Sequence, residues 1–288
     1  MKILVTGANG QLGREMRNVL ETEFPDNTIY TDIAELDLTD REAVSRFVLR
    51  NDISHIVNCA AYTAVDRAEE EKAESSAVNV DAVKNLGLAA DAVGAKIIHV
   101  STDYVFDGRN YRPYKESDKV NPISQYGNTK RAGETALIAY MPNSIIIRTS
   151  WLYSPYGHNF VKTMLKAGTE QKTLKVVSDQ IGSPTYARDL AKAIYRILRA
   201  SQWVEGIYNF SNEGVCSWYD FAKAIHRIAG ITTCTVKPIP SDDYPTVASR
   251  PYYSVLDKSK IKLTYDVAIP HWEESLAECV ERIKNGEE

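Results

Sequence analysis

Two groups of residues have the types and the spacing that chemistry would require: glycines near the start and tyrosine–lysine pairs further along. The glycines Gly7, Gly10 and Gly13 form a GxxGxxG segment that follows the apolar run 3–6. Glycines let a backbone turn approach a pyrophosphate closely, and a helix that starts there offers free N–H groups to the anion. Because the segment stands between a predicted strand and a predicted helix, it predicts a dinucleotide-binding turn and not an ordinary strand-to-helix turn.

An acidic residue lies where the ribose of such a cofactor is expected. Asp32 ends the second predicted strand, nineteen residues after Gly13. A carboxylate there accepts hydrogen bonds from the adenosine ribose hydroxyls, and it could equally cap the turn that follows. No Lys or Arg lies between Asp32 and Asp40, so nothing local would neutralise a 2′-phosphate. The prediction is NADH or NADPH as the cofactor, with NADH used at least as well.

Three tyrosine–lysine pairs have the YxxxK spacing, and chance alone supplies about one in a chain of this composition. The pairs are Tyr111/Lys115, Tyr126/Lys130 and Tyr219/Lys223. The first brackets Pro113 in a loop, and the third lies on a predicted helix, 217–228, far along the chain from the glycines. Only Tyr126/Lys130 follows the fourth predicted strand and starts a helix, where i,i+4 spacing places both side chains on one face.

These residues suggest a reduction. Tyr126 is the predicted general acid or base; a free phenol titrates near 10, and a nearby Lys130 ammonium would lower that pKa. Thr102 ends the fourth strand, at the sheet edge where ligands bind, and would hydrogen-bond the reacting carbonyl oxygen. A nicotinamide would deliver the hydride. The alternative is that Tyr126 only packs and that Lys130 is solvated.

The elements that must position these residues alternate between short β-branched runs and helical stretches. Strands are predicted at 3–6, 28–31, 56–60, 96–101 and 144–148, with helices at about 10–20, 75–93 and 124–139. This alternation is typical of an α/β fold, here a doubly wound parallel sheet of the Rossmann type. We expect residues 1–150 to form the dinucleotide-binding domain. Residues 151–288 form a smaller mixed α/β substrate-binding region packed on the first, with some segments crossing over.

Composition excludes several other classes of protein. The 288 residues are 44% hydrophobic and 25% charged, as in ordinary folded proteins, and the 34 Lys and Arg against 38 Asp and Glu give a net charge of −4. A mildly acidic chain without a long apolar run predicts neither nucleic-acid nor membrane binding. The four cysteines have no zinc-binding spacing, and the N-terminus does not read as a signal peptide. The predicted location is the cytoplasm.

The residues above, taken with further segments, resemble the extended short-chain dehydrogenase/reductase family along nearly the whole chain. The segments are GANGQLG (7–13), VNCAAYTAVDRAE (57–69), STDYVFDG (101–108), YGNTKRAGE (126–134), RTSWLY (148–153), NF (159–160), DQIGSPT (179–185) and SRP (249–251). STDYVFDG, RTSW and DQIGSPT are typical of a narrower group, which reduces the 4-keto group of dTDP-4-dehydro-β-L-rhamnose. The resemblance thus implies an NAD(P)H-dependent oxidoreductase acting on a dTDP-sugar.

The resemblance also assigns roles by position. The cofactor-binding residues would be Gly7, Gly10, Gln11, Leu12 and Gly13 at the pyrophosphate, Asp32 at the ribose, Asp37 and Leu38 at the adenine, Ala61, Tyr62 and Thr63 at the nicotinamide side, and Tyr126 with Lys130 at the nicotinamide ribose. Thr102, Asp103 and Trp151 would contact the sugar nucleotide, with Arg250 as a diphosphate or nucleotide contact. A core or interface role for Trp151 stays open.

One position departs from the group. Some of its reductases use magnesium at a dimer contact built from carboxylates. At the position expected for one of those acids this chain has Arg188, although Asp189 is adjacent and Glu273 and Glu274 are still acidic. No metal-binding residue is therefore assigned, the need for Mg²⁺ stays open, and a homodimer is compatible with the resemblance.

Two alternatives remain. One is a sugar-nucleotide dehydratase or epimerase. A dehydratase would carry an acidic pair after Thr102, but here Asp103 is followed by Tyr104. An epimerase resembles the first half of the chain and would keep its dinucleotide bound through purification. A non-catalytic regulatory subunit, like that of some methionine adenosyltransferases, can retain YxxxK. Trp151 and Asp179-Gln180 favour the reductase.

Overall fold

The secondary structure of the computed structural model, which describes residues 1–287, alternates strands and helices along the first half of the chain. The strands are β1 (Ile3–Thr6), β2 (Thr28–Thr31), β3 (His55–Asn58), β4 (Lys96–Thr102), β5 (Ile145–Thr149), β6 (Leu152–Tyr153), β7 (Thr173–Val177), β8 (Ile181–Gly182), β9 (Thr185–Tyr186), β10 (Gly206–Asn209), β11 (Cys216–Ser217) and β12 (Thr235–Ile239). The α-helices are α1 (Gln11–Glu23), α2 (Arg41–Arg50), α3 (Lys72–Ser76), α4 (Ala82–Val93), α5 (Gln125–Tyr140), α6 (Phe160–Glu170), α7 (Ala187–Leu198), α8 (Trp218–Ala229), α9 (Ser259–Tyr265) and α10 (Trp272–Lys284).

A parallel sheet of six strands, in the order β10-β5-β4-β3-β1-β2, forms the centre of the structure. Side chains alternate between its two faces: Ile3 and Val5 pack with α1 and α7, whereas Leu4 packs on the other face with α2, α4 and α5. Strands buried on both faces explain the unbroken apolar runs in the sequence. This arrangement confirms the predicted doubly wound parallel sheet.

The second part of the chain builds its own core and also completes the first sheet. Helices α6, α8 and α10 pack with β7 and β12 around Phe221, Ile225 and Leu276. Helix α7 instead packs on α1, and β10 pairs with β5 as the sixth strand of the sheet. These two segments cross from the second part to the first; the boundary near residue 150 itself stays a prediction.

Three local features differ from the sequence-based expectation. Strand β3 ends at Asn58, before Ala60. The helix expected at 75–93 starts at Lys72 and contains a π-helical turn at Ala77–Asp81. Helix α2 was not predicted, although Asp40 caps it by accepting a hydrogen bond from the Ala43 N–H at 2.9 Å. Among the described residues, no helix has the length and apolar character that a bilayer crossing needs.

Candidate functional site

The turn between β1 and α1 is shaped so that only glycine fits at two positions. Gly7 has a φ of +64°, and a Cβ there would lie 2.6 Å from the Ala60 nitrogen. A Cβ on Gly13 would lie 2.2 Å from the Gly7 carbonyl oxygen. No side chain caps the N-terminus of α1, where Gly10 is the N-cap and no acidic residue follows in the first turn. Free N–H groups and the positive end of the helix dipole therefore face a site suited to a phosphate.

A cavity of about 460 Å³, here called the glycine-turn cavity, extends from this turn over the ends of β1, β2 and β3. Asp32 is fixed on its wall, because its two carboxylate oxygens accept hydrogen bonds from the N–H groups of Asn9 and Ile33, each at 2.9 Å. Asp37 and Leu38 also line it, and hydrogen bonds from the Thr39 side chain and N–H lower the pKa of Asp37. The cavity is lined without any Lys or Arg among the described residues.

The loop after β3 is held by a residue that the sequence analysis missed. Asn79, in the π-helical turn, accepts a hydrogen bond from the Tyr62 N–H at 3.0 Å and donates to the Tyr62 carbonyl at 3.1 Å. It also donates to the Thr129 hydroxyl at 3.0 Å, which ties the loop to α5. Ala61 lines the glycine-turn cavity, and Ala61 and Thr63 both line the second cavity described below. The Tyr62 side chain is not part of either lining, and its hydroxyl donates a hydrogen bond to the Glu71 carboxylate. A π-helical turn often marks a functional site, but this one is seen only in the structure, so the sequence offered no signal for Asn79.

A second cavity, of about 600 Å³ and here called the tyrosine cavity, continues from the first past Gly10, Cys59 and Ala61. Gln11, Leu12, Tyr126 and Lys130 line it. The structure thus places the glycine turn and the Tyr126/Lys130 pair along one continuous depression. Neither of the other two pairs lines this cavity: Tyr111 is 90% exposed in a loop, and Tyr219 lies on α8.

The expected lowering of the Tyr126 pKa by Lys130 is wrong for this structure. Burial raises the pKa of the Tyr126 phenol to about 12, although a hydrogen bond with Thr102 opposes the rise, and the nearby Asp103 charge adds to it. Lys130 donates from Nζ to the Val100 carbonyl at 2.8 Å, and burial lowers its pKa to about 8. A protonated phenol is nonetheless the form that a proton donor needs before reaction.

Thr102 ends β4, Asp103 comes directly after it, and both lie in the same cavity lining as Tyr126. The Thr102 hydroxyl donates to Asp103 Oδ1 at 3.0 Å and accepts from the Tyr104 N–H at 3.2 Å. Asp103 is 2% exposed, and its Oδ2 has no hydrogen-bond partner. Both residues line the tyrosine cavity.

Trp151 also lines the tyrosine cavity, and both Trp218 and Gly182 lie close against its ring. Its ring stacks on Trp218, with centroids 3.6 Å apart and the planes at 10°, and its backbone has a φ of +47°. A Cβ on Gly182 would lie 2.6 Å from Cε2 of Trp151. Positive φ at a bulky residue is strained and is kept where the surroundings enforce it. Trp218, which also lines the cavity, was not singled out from the sequence.

Three other predicted site residues lie outside the lining of the tyrosine cavity. Arg250 forms a bidentate ion pair with Asp66, with nitrogen–oxygen distances of 2.8 and 3.0 Å. Asp179 and Gln180 instead hold Ser241, through hydrogen bonds of 2.7–3.0 Å. These contacts tie the loops of the second part to each other and to the first part. The diphosphate role of Arg250 stays a prediction.

Three of the four residues considered for a metal contact have partners within the chain. Arg188 pairs with Glu278 at 2.8 Å, Glu273 pairs with Arg227, and Asp189 accepts from Asn212 and Ser275. Within residues 1–287, no group of three or more His, Cys, Asp or Glu side chains could hold a metal ion.

Comparison with known proteins agrees with this geometry. Residues 1–285 match the family described as RmlD substrate binding domain. The dTDP-4-dehydrorhamnose reductase of Aggregatibacter actinomycetemcomitans is 41% identical over 96% of this chain and 97% of its own. The crystal structure of a dTDP-4-dehydrorhamnose reductase from Clostridium acetobutylicum is 43% identical, with a TM-score of 0.94 over 99% of this chain and 100% of its own. That of the Bacillus anthracis enzyme, in complex with NADP, is 39% identical, with a TM-score of 0.93 over 98% and 100%. By sequence and by structure, the chain belongs to the RmlD substrate binding domain family.

Proposed function

We propose that the protein catalyses the NAD(P)H-dependent reduction of the 4-keto group of dTDP-4-dehydro-β-L-rhamnose, giving dTDP-L-rhamnose. The relatives named above carry the name of this reductase. The observation that carries the proposal is the meeting of three parts in one continuous depression: a phosphate-suited turn, a Tyr–Lys pair, and an aromatic wall. A dinucleotide and a sugar would lie with their reacting atoms between these parts.

The cofactor residues fit a dinucleotide. The uncapped N-terminus of α1 at Gly10, Gln11 and Leu12 would bind the pyrophosphate, and Asp32 would bind the adenosine ribose. Asp37 and Leu38 would lie at the adenine, and Ala61 and Thr63 beside the nicotinamide. Bound NAD(P)H would supply the hydride.

The chain's own residues would manage the proton and the orientation of the sugar. The protonated Tyr126 would donate to the oxygen that forms at C4, and Thr102 would hydrogen-bond that oxygen. Lys130, held on the Val100 carbonyl, would orient the nicotinamide ribose. The Trp151–Trp218 pair would provide an apolar wall for the sugar nucleotide.

The proposal includes NADH as a cofactor at least as good as NADPH. Asp32 and Asp37 line the glycine-turn cavity, where the lining described contains no cation to neutralise a 2′-phosphate. Because Asp32 is partly exposed, water and salt screen its charge, and NADPH is disfavoured without being excluded. We also propose a cytoplasmic location, in keeping with four unpaired cysteines among the described residues. Neither Mg²⁺ nor an assembly state enters the proposal.

A substrate comparison tests the proposal. NADH oxidation is followed with dTDP-4-dehydro-β-L-rhamnose and with the corresponding UDP- and GDP-linked 4-keto sugars. We expect turnover with the dTDP-sugar, and a lower kcat/KM with the other two. Absence of NADH oxidation with all three, in a protein that binds NADH, would favour a non-catalytic subunit and overturn the proposal.

A further inference from the structure

A short segment of the second part of the chain, residues 154–159 and here called the bridging segment, reaches across to the first part. It runs from the end of β6 to the start of α6, and Gly157, His158 and Asn159 line the tyrosine cavity. The segment lies against α1, the helix whose N-terminus is proposed to bind the pyrophosphate. Part of the lining of the proposed sugar site is therefore attached to the dinucleotide-binding helix.

The first attachment is at the beginning of α1. Gln11 Oε1 accepts hydrogen bonds from the Ser154 hydroxyl at 3.1 Å and from Asn159 Nδ2 at 3.0 Å. Asn159 also donates to the Ser154 carbonyl at 2.8 Å, which closes the segment into a loop. Ser154 and Asn159 are both buried, so these hydrogen bonds are shielded from water. The two ends of the bridging segment are thus fixed on one glutamine side chain.

The second attachment is Tyr156, in the middle of the segment. Its hydroxyl accepts a hydrogen bond from Asn18 Nδ2 at 2.9 Å and one from Arg282 Nη2 of α10 at 3.2 Å. The Arg14 guanidinium lies 5.3 Å from the centre of its ring, within the range of a cation–π contact. Gln11, Arg14 and Asn18 have i, i+3, i+7 spacing, so they form one face of α1. The bridging segment contacts that face over two helical turns.

Arg282 is itself held in place. Its Nη1 forms a buried ion pair with Glu15 Oε1 of α1 at 2.7 Å and also contacts the Tyr186 hydroxyl, and its Nε pairs with Glu287 at 2.7 Å. Glu15 is fully buried and Arg282 is 8% exposed. A planar guanidinium that is held at two of its nitrogens directs the third in a fixed direction. The Tyr156 hydroxyl therefore meets a donor whose position is set by α1 and α10.

We propose that Tyr156 is a positioning residue for the sugar nucleotide. Its hydroxyl fixes the middle of the bridging segment on α1, so that Gly157, His158 and Asn159 are in place before the sugar nucleotide binds. Without that attachment the segment has to be ordered when the ligand arrives, and the entropy lost then weakens binding. Neither cavity lining described for residues 1–287 contains Tyr156, so it acts through the segment. The inference rests on the proposed function, but it concerns sugar binding and not hydride transfer.

The test is Tyr156→Phe, which keeps the ring and its contact with Arg14 but removes the hydroxyl. We expect KM for dTDP-4-dehydro-β-L-rhamnose to rise about 3- to 10-fold, the size of effect that one lost hydrogen bond gives. The dissociation constant for dTDP-L-rhamnose, measured by calorimetry on the NADH-loaded enzyme, should rise by the same factor. The sugar product and NADH are both reduced, so this complex does not react. Both kcat and the NADH dissociation constant should change by less than about twofold, because the glycine turn and the Tyr126/Lys130 pair are not altered.

Two comparisons separate positioning from a general loss of stability. Tyr186→Phe is the matched control: it removes another hydroxyl that contacts Arg282, but Tyr186 lies in β9 and outside the described linings of both cavities. It should lower the melting temperature with less than about a twofold change in the sugar KM. Asn18→Ala removes the α1 partner of Tyr156 at an exposed position and should raise the sugar KM about 2- to 5-fold. Combined with Tyr156→Phe it should add nothing, because both substitutions remove the same contact.

Three outcomes would overturn the inference. One is a lower melting temperature for Tyr156→Phe with an unchanged sugar KM, which would make the hydroxyl a structural contact only. Another is an equal rise in the sugar KM for Tyr186→Phe. The third is full additivity of Tyr156→Phe and Asn18→Ala. If Tyr156→Phe does not fold, as judged by circular dichroism, the comparison of Asn18→Ala with Tyr186→Phe decides. A wild type that binds dTDP-L-rhamnose without reducing any of the 4-keto sugars would instead refute the proposed function, and the dissociation constants would then test Tyr156 alone.

Discussion

Gly182→Ala should weaken sugar-nucleotide binding while leaving the dinucleotide unaffected. A Cβ at this position would lie 2.6 and 2.7 Å from Cε2 and Cζ2 of Trp151 and 2.8 Å from the Ser254 hydroxyl oxygen. All three distances are shorter than real contacts allow. The Trp151 ring also stacks on Trp218 at 3.6 Å, so it cannot move without disturbing that pair. Because both indoles line the tyrosine cavity, the added methyl group should change the shape of the aromatic wall.

Overpacking of this kind costs about 1–3 kcal/mol. If that cost falls on the site that binds the sugar, KM for the dTDP-sugar should rise about 5- to 150-fold, since each 1.4 kcal/mol is tenfold. The NADH dissociation constant should stay within about twofold, because Gly182 does not line the glycine-turn cavity. The assays are steady-state kinetics for the sugar and fluorescence titration for NADH.

Gly168→Ala is the matched control. Its Cβ would lie 2.5 Å from His226 Nε2, a comparable overlap, but neither residue lines the tyrosine cavity. It should lower the melting temperature without changing the sugar KM. The reasoning fails if Gly182→Ala leaves that KM unchanged, or if it weakens both ligands equally.

Three further predictions concern Tyr126, Asp32 and Asp103. Tyr126→Phe should lower kcat about 10²- to 10⁴-fold while NADH still binds, and Tyr219→Phe should be as active as the wild type; the reverse pattern would refute the assignment. Asp32→Ala should shift the kcat/KM ratio toward NADPH, and a wild-type preference for NADPH above about tenfold would contradict the argument from charge. Because the folded-state pKa of Asp103 is raised from 3.8 to about 7, its stabilising effect is full at low pH and is lost as pH rises toward 7. Asp103→Asn should therefore gain about 2–3 kcal/mol of unfolding free energy over the wild type between pH 5 and pH 8, measured by denaturant titration, and a constant difference would be the contrary result.

The sheet and the glycine turn could be predicted because their signals are local. Apolar runs such as Ile3–Thr6 and the glycine spacing after them depend on a few neighbouring residues, and both are found where expected. The choice of Tyr126 among three equally spaced pairs was possible because only that pair followed a strand and opened a helix. Strand β10 was missed as part of the sheet, since its pairing with β5 joins segments about 60 residues apart.

The parts of the site that sequence reasoning missed depend on contacts between distant segments. Trp218 reaches Trp151 from α8, and Asn79 reaches Tyr62 through a π-helical turn, neither of which a spacing rule describes. The Tyr126 pKa was predicted in the wrong direction, because burial is a property of the packed structure and outweighs the expected effect of Lys130. The ion pair between Arg250 and Asp66 was not foreseen either, because the two residues lie 184 positions apart in the sequence.

The central claim is a net reduction, and the stoichiometry of NADH to product tests it most directly. With dTDP-4-dehydro-β-L-rhamnose in limiting amount, NADH oxidation is followed by the loss of its near-ultraviolet absorbance, and the sugar product is identified by NMR. The account predicts one NADH oxidised for each dTDP-L-rhamnose formed. Conversion of the sugar to an epimer or a dehydrated product with no net oxidation of NADH would contradict it.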